Sequence, residues 1–345
     1  MTKQKQKIMA IAIIGGLLCI VSLLALHLGS IMIPIGGGIQ SILNGIGIPI
    51  HFTDSITLEQ EAVLWFIRMP RLIIGLLVGG ALALAGAVMQ GVFSNPLADP
   101  GIMGVSAGAS LGAVIAIALG VTSLGMFYMP AFAFIGAFVS VGVTILLTWR
   151  NNKLDTTTLL LAGVAVSMLL GAFTSGILTM INEYRLREFL FWMVGGLDFR
   201  RWDHVALAVG PIVTGSVILM MLGRHLNVLV LGDTEARALG VPVMVYRMLF
   251  LFLASVVTAT AVCVSGSIGF VGLVVPHIVR ILVGPDHRIL LPMSAVGGAL
   301  FLVFCDTLGR VVAQPVEIRV GIMTALLGAP YFLYLLHRLR RKGGA

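Results

Sequence analysis

Apolar runs of about 20 residues, long enough to cross a bilayer as a helix, recur along nearly the whole chain and are separated by short polar turns. They predict ten spans, near residues 8–29, 69–92, 101–120, 127–148, 157–181, 204–223, 243–265, 268–283, 289–306 and 319–337. The eighth is short, and its separation from the seventh at Gly266-Ser267 is the least sharply marked boundary. A further apolar run, Phe189 to Leu197, is too short to cross and reads as a half-helix at or near the outer surface. The first run follows Lys3, Lys5 and Lys7 as a signal peptide would. It is longer than a signal h-region and shows no small-residue cleavage site, so it reads as the first span. The expectation is an all-α membrane protein with one transmembrane domain over residues 1–345.

Composition agrees: 59% of residues are hydrophobic and only 10% charged, where a soluble domain has about a quarter charged. The net charge of +8 is spread among apolar segments rather than gathered on one face, which excludes a nucleic-acid surface. Cys19, Cys263 and Cys305 lie in apolar runs without paired spacing, so neither a disulfide framework nor a metal site is expected.

An even number of spans puts both termini on one side. With them fall Lys3, Lys5, Lys7, Arg150, Lys153, Arg224, Arg237, Arg247, Arg280, Arg288, Arg338, Arg340, Arg341 and Lys342. By the positive-inside rule this side is cytoplasmic. Eight arginines, Arg68, Arg71, Arg185, Arg187, Arg200, Arg201, Arg310 and Arg319, fall on the other side against that rule. Two explanations stay open. Arginines near helix ends can snorkel and neutralise a neighbour such as Glu188 or Asp203. Alternatively, Arg68, Arg71 and Arg310, at the outer mouths of spans, form a positive ring for an acidic partner.

Two polar interruptions and one glycine repeat add to what the spans themselves tell. The stretch from Arg68 to Gly112 breaks at Asn95-Pro96 and resumes at Gly101; non-helical backbone at membrane depth is tolerated only inside protein or beside water, so this corner suggests a pathway. Gly75 with Gly79, and Gly104 with Gly108 and Gly112, recur four apart, a spacing that lets two helices approach closely. The loop from Arg224 to Val241 is the longest on the cytoplasmic side. It offers an N-cap at Asp233 or Thr234 and an amphipathic turn from Glu235 to Leu239 closed by Gly240, and its length favours a surface that meets another protein.

Chemical motifs are sparse. Gly104-Val105-Ser106-Ala107-Gly108 matches G-x-S-x-G, but that nucleophile needs a strand-to-helix elbow and a histidine in reach; here the serine lies in a membrane helix and its glycines fit the packing repeat. There is no H-E-x-x-H and no Walker A sequence, hence no visible zinc site and no usual route to ATP on this chain. His277 follows Pro276 and reads as a hydrogen-bonding residue at a helix break more than as a metal ligand. Asp306 and Arg310, four apart, read as a local ion pair. No span has an acid at its centre, which weighs against a proton-driven carrier. A stand-alone carrier or channel, and an intramembrane enzyme using Ser106, remain as rival readings.

The ordered set of motifs resembles a permease subunit of the FecCD type, the membrane component of binding-protein-dependent ABC importers for iron-siderophores, haem and cobalamin. The residues that carry the resemblance run from Arg68-Met69-Pro70-Arg71 through Gly86 to Gln90 and Asn95-Pro96-Leu97-Ala98-Asp99-Pro100. They continue with Leu231-Gly232-Asp233, Leu239-Gly240-Val241, Gly266 to Leu273 and Pro276-His277. Asp306 to Arg310, Pro315 to Ile318, Gly321 and Gly328-Ala329-Pro330 complete the set.

The resemblance implies a type II ABC importer permease fold with ten spans. It implies assembly with a second permease subunit, identical or paralogous, with two ATP-binding subunits that hold ATP and magnesium, and with an extracytoplasmic substrate-binding protein. The setting implied is a bacterial or archaeal cytoplasmic membrane. By similarity, Arg68, Arg71 and Arg310 receive acids of the binding protein; Asn95, Leu97, Thr156 and Thr157 close the cytoplasmic end of the path. Asp233, Glu235, Ala236, Arg237, Leu239 and Gly240 meet the ATPase. No catalytic residue, metal site or cofactor is expected on this chain. Arg319 stands where many relatives are uncharged, and adds charge near the outer mouth. An iron chelate, siderophore or haem, is the first expectation for cargo, with cobalamin as the alternative.

Overall fold

The computed structural model describes residues 3–29, 31–49, 56–150 and 153–342. The side chains of Lys3, Arg150, Lys153, Arg338, Arg340, Arg341 and Lys342, counted above in the basic set, lie outside the described part, as do residues 1, 2 and 343–345 of the expected domain. All ten expected spans are helices: α1 (Lys3–His27), α4 (Met69–Val92), α5 (Val105–Leu119), α6 (Tyr128–Thr148), α7 (Thr156–Leu178), α9 (Trp202–Met221), α12 (Val243–Ser265), α13 (Val271–Val283), α14 (His287–Val312) and α15 (Val320–Lys342). Seven are long and apolar enough to cross a membrane; α5, α13 and the apolar part of α15 are shorter.

Helices α4 and α12 form the centre, and α1 and α7 lie outermost with most of their apolar side chains uncovered. Close approach at the centre depends on glycine. A Cβ on Gly79 would run into the Gly298 carbonyl of α14, and one on Gly86 into the Gly272 carbonyl of α13. Gly108 and Gly112 of α5 similarly face the backbone of Gly136 and Phe132 on α6. Packing between backbones replaces the hydrophobic drive that lipid cannot supply. Ser106 lies in this helix, on a packing element rather than a nucleophile elbow.

Several boundaries differ from the apolar pattern, each for a local reason. The third span starts at Val105, because Pro100–Met103 forms a 3-10 turn and Gly104 takes a left-handed conformation, φ 82°. The eighth starts at Val271 after Phe270, also left-handed at φ 68°. The half-helix, α8 (Glu183–Val194), begins six residues before its apolar run because the Asn182 side chain accepts the Arg185 amide hydrogen and caps it.

Two helices between the first spans escape the pattern: α2 (Ile35–Gly45) and α3 (Leu58–Val63). Glycine-rich α2 has poor intrinsic helicity, but Gly38 lets it close onto the His27 ring at the end of α1. The capping box of Thr57 and Gln60 starts α3, and a π-turn at Leu64–Arg68 joins it to α4. Two short helices, α10 (Gly223–Leu229) and α11 (Asp233–Ala238), fill the long loop. A hairpin of β1 (Trp149–Arg150) and β2 (Lys153–Leu154), pairing Trp149 with Leu154, links α6 to α7.

Candidate functional site

The helices alternate in direction, so the singled-out residues collect at two ends. The arginine end joins the C-terminus of α1, the start of α4, α8, the end of α14 and the start of α15. The corner end joins the Asn95 turn, the hairpin, α10, α11 and the link from α13 to α14.

At the arginine end, Arg68, Arg71 and Arg310 do converge, but they are turned inward, with 5%, 7% and 5% of their surface exposed. Arg71 donates to both oxygens of Asp306 at 2.9–3.1 Å and to Glu317 at 2.8 Å, and it lies 3.6 Å from Asp198. Asp306 also sits 3.3 Å from Arg310, the local pair expected from their spacing. Arg310 donates to the carbonyl of Ala25 at 3.0 Å, and Arg68 to that of Leu26 at 2.6 Å. These carbonyls belong to the last turn of α1, where intrahelical donors run out; the two guanidinium groups supply them and place positive charge at the negative end of the helix dipole.

The geometry here is that of an internal network rather than an open ring, and its carboxylates are Asp198, Asp306 and Glu317; Asp203, expected to neutralise a neighbouring arginine, pairs separately with Arg201 at 3.9 Å. Glu317 is its most accessible member, with 38% of its side chain exposed. Arg319 extends the network by pairing with Asp198 at 3.1 Å, and stacks 4.5 Å from the Phe191 ring centre. A sequence reading had no means of seeing Asp198 as the bridge between Arg71 and Arg319.

At the corner end, Asn95 accepts the Leu97 amide hydrogen at 2.9 Å, and Asp99 accepts that of Gly101 at 2.7 Å. Each carboxamide or carboxylate thus replaces a backbone partner lost at the turn. Gln90 donates to the Leu273 carbonyl at 3.2 Å, tying α4 to the first turn of α13. Asn95 borders a cavity of about 590 Å³ together with Asn227, Arg280, Asp286 and His287.

Thr156 borders a second cavity of about 430 Å³, shared with Asp155, Asp233, Arg237 and Arg247; Thr157, beside it, is exposed. Of the expected gate residues, Asn95 and Thr156 thus border two separate cavities within one chain, and Leu97 and Thr157 border neither. Asp155 caps α7 by accepting the Thr158 hydroxyl and amide hydrogens at 2.6 and 2.8 Å, and these bonds hold its carboxyl below the usual carboxylate range.

Glu235, Arg237, Leu239 and Gly240 are exposed on and after α11, and Ala236 is the buried anchor of that helix. The cap is Gly232, φ 116°, rather than Asp233 or Thr234. Asp233 becomes the first helical residue, and its carboxylate is engaged by Arg247 at 2.6 Å. Gly240 has φ 76° and nothing near its missing Cβ, so it is required for backbone conformation alone. Among the described residues no group of three or more His, Cys, Asp or Glu side chains could hold a metal ion.

The FecCD transport family model matches residues 17–338. The chain is 49% identical over 278 residues to the cobalamin import system permease protein BtuC of Halobacterium salinarum, covering 80% of this chain and 73% of that one. It is 43% identical over 281 residues to the hemin transport system permease protein HmuU of Yersinia pestis, covering 80% and 83%. A solved structure described as an inward-facing conformation of a putative metal-chelate type ABC transporter superposes with a TM-score of 0.83 at 32% identity, covering 94% of this chain and 97% of that one. With ten apolar helices, a polar turn at Asn95 and a short helix with exposed polar residues in the long loop, the chain belongs to the FecCD transport family, as a multi-pass ABC transporter permease.

Proposed function

We propose that this permease moves a bulky metal chelate inward by alternating access, with a cobalt corrinoid as its first substrate and haem as its second. The 49% identity to a relative named for cobalamin import supports this order, which puts the alternative cargo of the sequence reading ahead of the iron chelate. The relative named for hemin transport, at 43% identity, supports haem as the second reading; a ferric siderophore comes third. All three cargoes are too large for a narrow pore and suit a path opened between two permease subunits.

In this reading the corner end faces the cytoplasm with both termini. There α11 meets one of two ATP-binding subunits, while a second permease copy or paralogue completes the path. Exposed Glu235, Arg237, Leu239 and Gly240 would be the ATPase contact, and Asn95, Leu97, Thr156 and Thr157 the inner gate. At the arginine end, acids of a substrate-binding protein would compete with Glu317 for Arg71, because Glu317 is the accessible carboxylate of that network.

The test is uptake by vesicles holding this chain with its ATP-binding subunits and binding protein. ATP-dependent accumulation of cyanocobalamin in preference to haem and ferric siderophore is expected. Preferential haem uptake would install the second reading, and uptake without ATP would install a stand-alone carrier.

A further inference from the structure

The guanidinium of Arg247 lies between the two elements that the proposed mechanism must connect. It stands near the start of α12, only 8% exposed, although a count of basic residues would place it merely among cytoplasmic positive charges. One terminal nitrogen donates to the Leu154 carbonyl at 3.0 Å, at the end of the hairpin that leads into α7. The other donates to Asp233, the first residue of α11, at 2.6 Å, and the first also reaches that carboxylate at 3.3 Å. The next residue after Leu154 is Asp155, which caps α7, and Thr156 and Thr157 follow.

The Arg247 side chain is only 10% exposed and that of Asp233 45%, so one partner of the pair is fixed inside the protein. The cavity of about 430 Å³ beside it is bordered by Asp233 and Arg237 of α11, by Leu154, Asp155 and Thr156, and by Arg247 itself. Space therefore lies between α11 and the start of α7, and Arg247 bridges it. Exposed ion pairs move with their solvent and transmit little. Here a planar group, fixed on a membrane helix, is held at both prongs by charge-assisted and carbonyl bonds.

Resting on the transporter reading above, we propose that Arg247 is a positioning residue that couples α11 to the inner gate. A displacement of α11 by the ATP-binding subunit pulls on Asp233, and through the guanidinium shifts the Leu154 carbonyl and the first turn of α7. A coupling claim of this kind needs an element whose two positions both ends bias, and the first turn of α7 is that element.

The experiment uses the assembled complex with a spin label at Thr157→Cys, in a Cys19→Ser background; Cys263 and Cys305 are buried. ATP is expected to change the label's mobility in the otherwise wild-type complex. In Arg247→Met the response should fall by about tenfold in its equilibrium ratio, within the usual range of coupling between sites, while assembly and basal ATP hydrolysis persist. Arg247→Lys, which keeps a charge for Asp233 but not the two-pronged reach, should fall between. A full response in Arg247→Met, or failure of both variants to assemble, would overturn the inference. Absence of any response before Arg247 is altered would instead remove the transporter reading on which it rests.

Discussion

The two ends of the bundle handle buried charge in opposite ways. At the arginine end, Arg71, Arg310 and Arg319 meet Asp198, Asp306 and Glu317 in one network, and Arg310 and Arg68 cap the carbonyls of α1 beside it. At the corner end, Asn227 ties α10 to Asp286 and His287 at the start of α14, but cavities of about 430 and 590 Å³ lie between other elements, where side chains such as Arg247 and Gln90 reach from one to another. A dense network resists small displacements, because each group is held by several others. Elements joined by single contacts across space can move as units, and low local contact density is where motion is least costly. The contrast predicts that the corner end moves and that the arginine end acts as a clasp.

The largest effect that could break this contrast is at Asp306. Asp306→Ala leaves Arg71 and Arg310 without their shared carboxylate, and removing one partner of a buried ion pair costs about 3–5 kcal/mol. A strong fall in the thermal midpoint of the purified permease is expected. A midpoint within a degree or two of the parent's would mean that the network is not a clasp.

Next comes the packing that holds both ends on one frame. Gly86→Val forces a side chain onto the Gly272 carbonyl, and overpacking of this kind costs about 1–3 kcal/mol. Since Gln90 ties the same two helices one turn further on, the corner end should loosen first, seen as faster proteolysis there before any loss at the arginine end. Equal loosening at both ends would contradict the division.

A subtler effect is expected at Gly240. A β-branched residue at φ 76° is strained by about 1–2 kcal/mol, and no neighbour lies close enough to be displaced. Gly240→Val should therefore spare the fold while lowering transport per ATP hydrolysed. An unchanged ratio would remove α11 from the mechanism.

The ten spans were legible because the bilayer fixes their length, and the glycine repeats because their spacing alone aligns them on a face. The ion network was not, since Arg71 meets Asp306 and Glu317 from 235 and 246 residues away. Only the pair of Asp306 and Arg310, one turn apart, could be read locally. Helix α2 was hidden by its glycines, which lower helicity yet are what let it pack on His27. Sequence favours Asp233 or Thr234 as the cap of α11, because such residues suit that position. Tertiary structure overrides this by drawing the Asp233 carboxylate to Arg247 and leaving the cap to Gly232.

The smallest predicted effect separates the accessible rim of the arginine end from its interior. Glu317 shares Arg71 with Asp306 but is partly open to solvent, so its pairing is worth only ~0.2–1 kcal/mol, the range of exposed ion pairs. Glu317→Gln should leave the thermal midpoint nearly unchanged, because Asp306 still holds Arg71 in a two-oxygen grip. It should also remove the internal competitor of any acidic docking group, tightening association with the binding protein by up to about fivefold at low salt, with the gain shrinking as salt screens it. If Glu317→Gln instead destabilises the chain as strongly as Asp306→Ala, the accessible rim is part of the clasp, and docking must proceed without an exchange at Arg71.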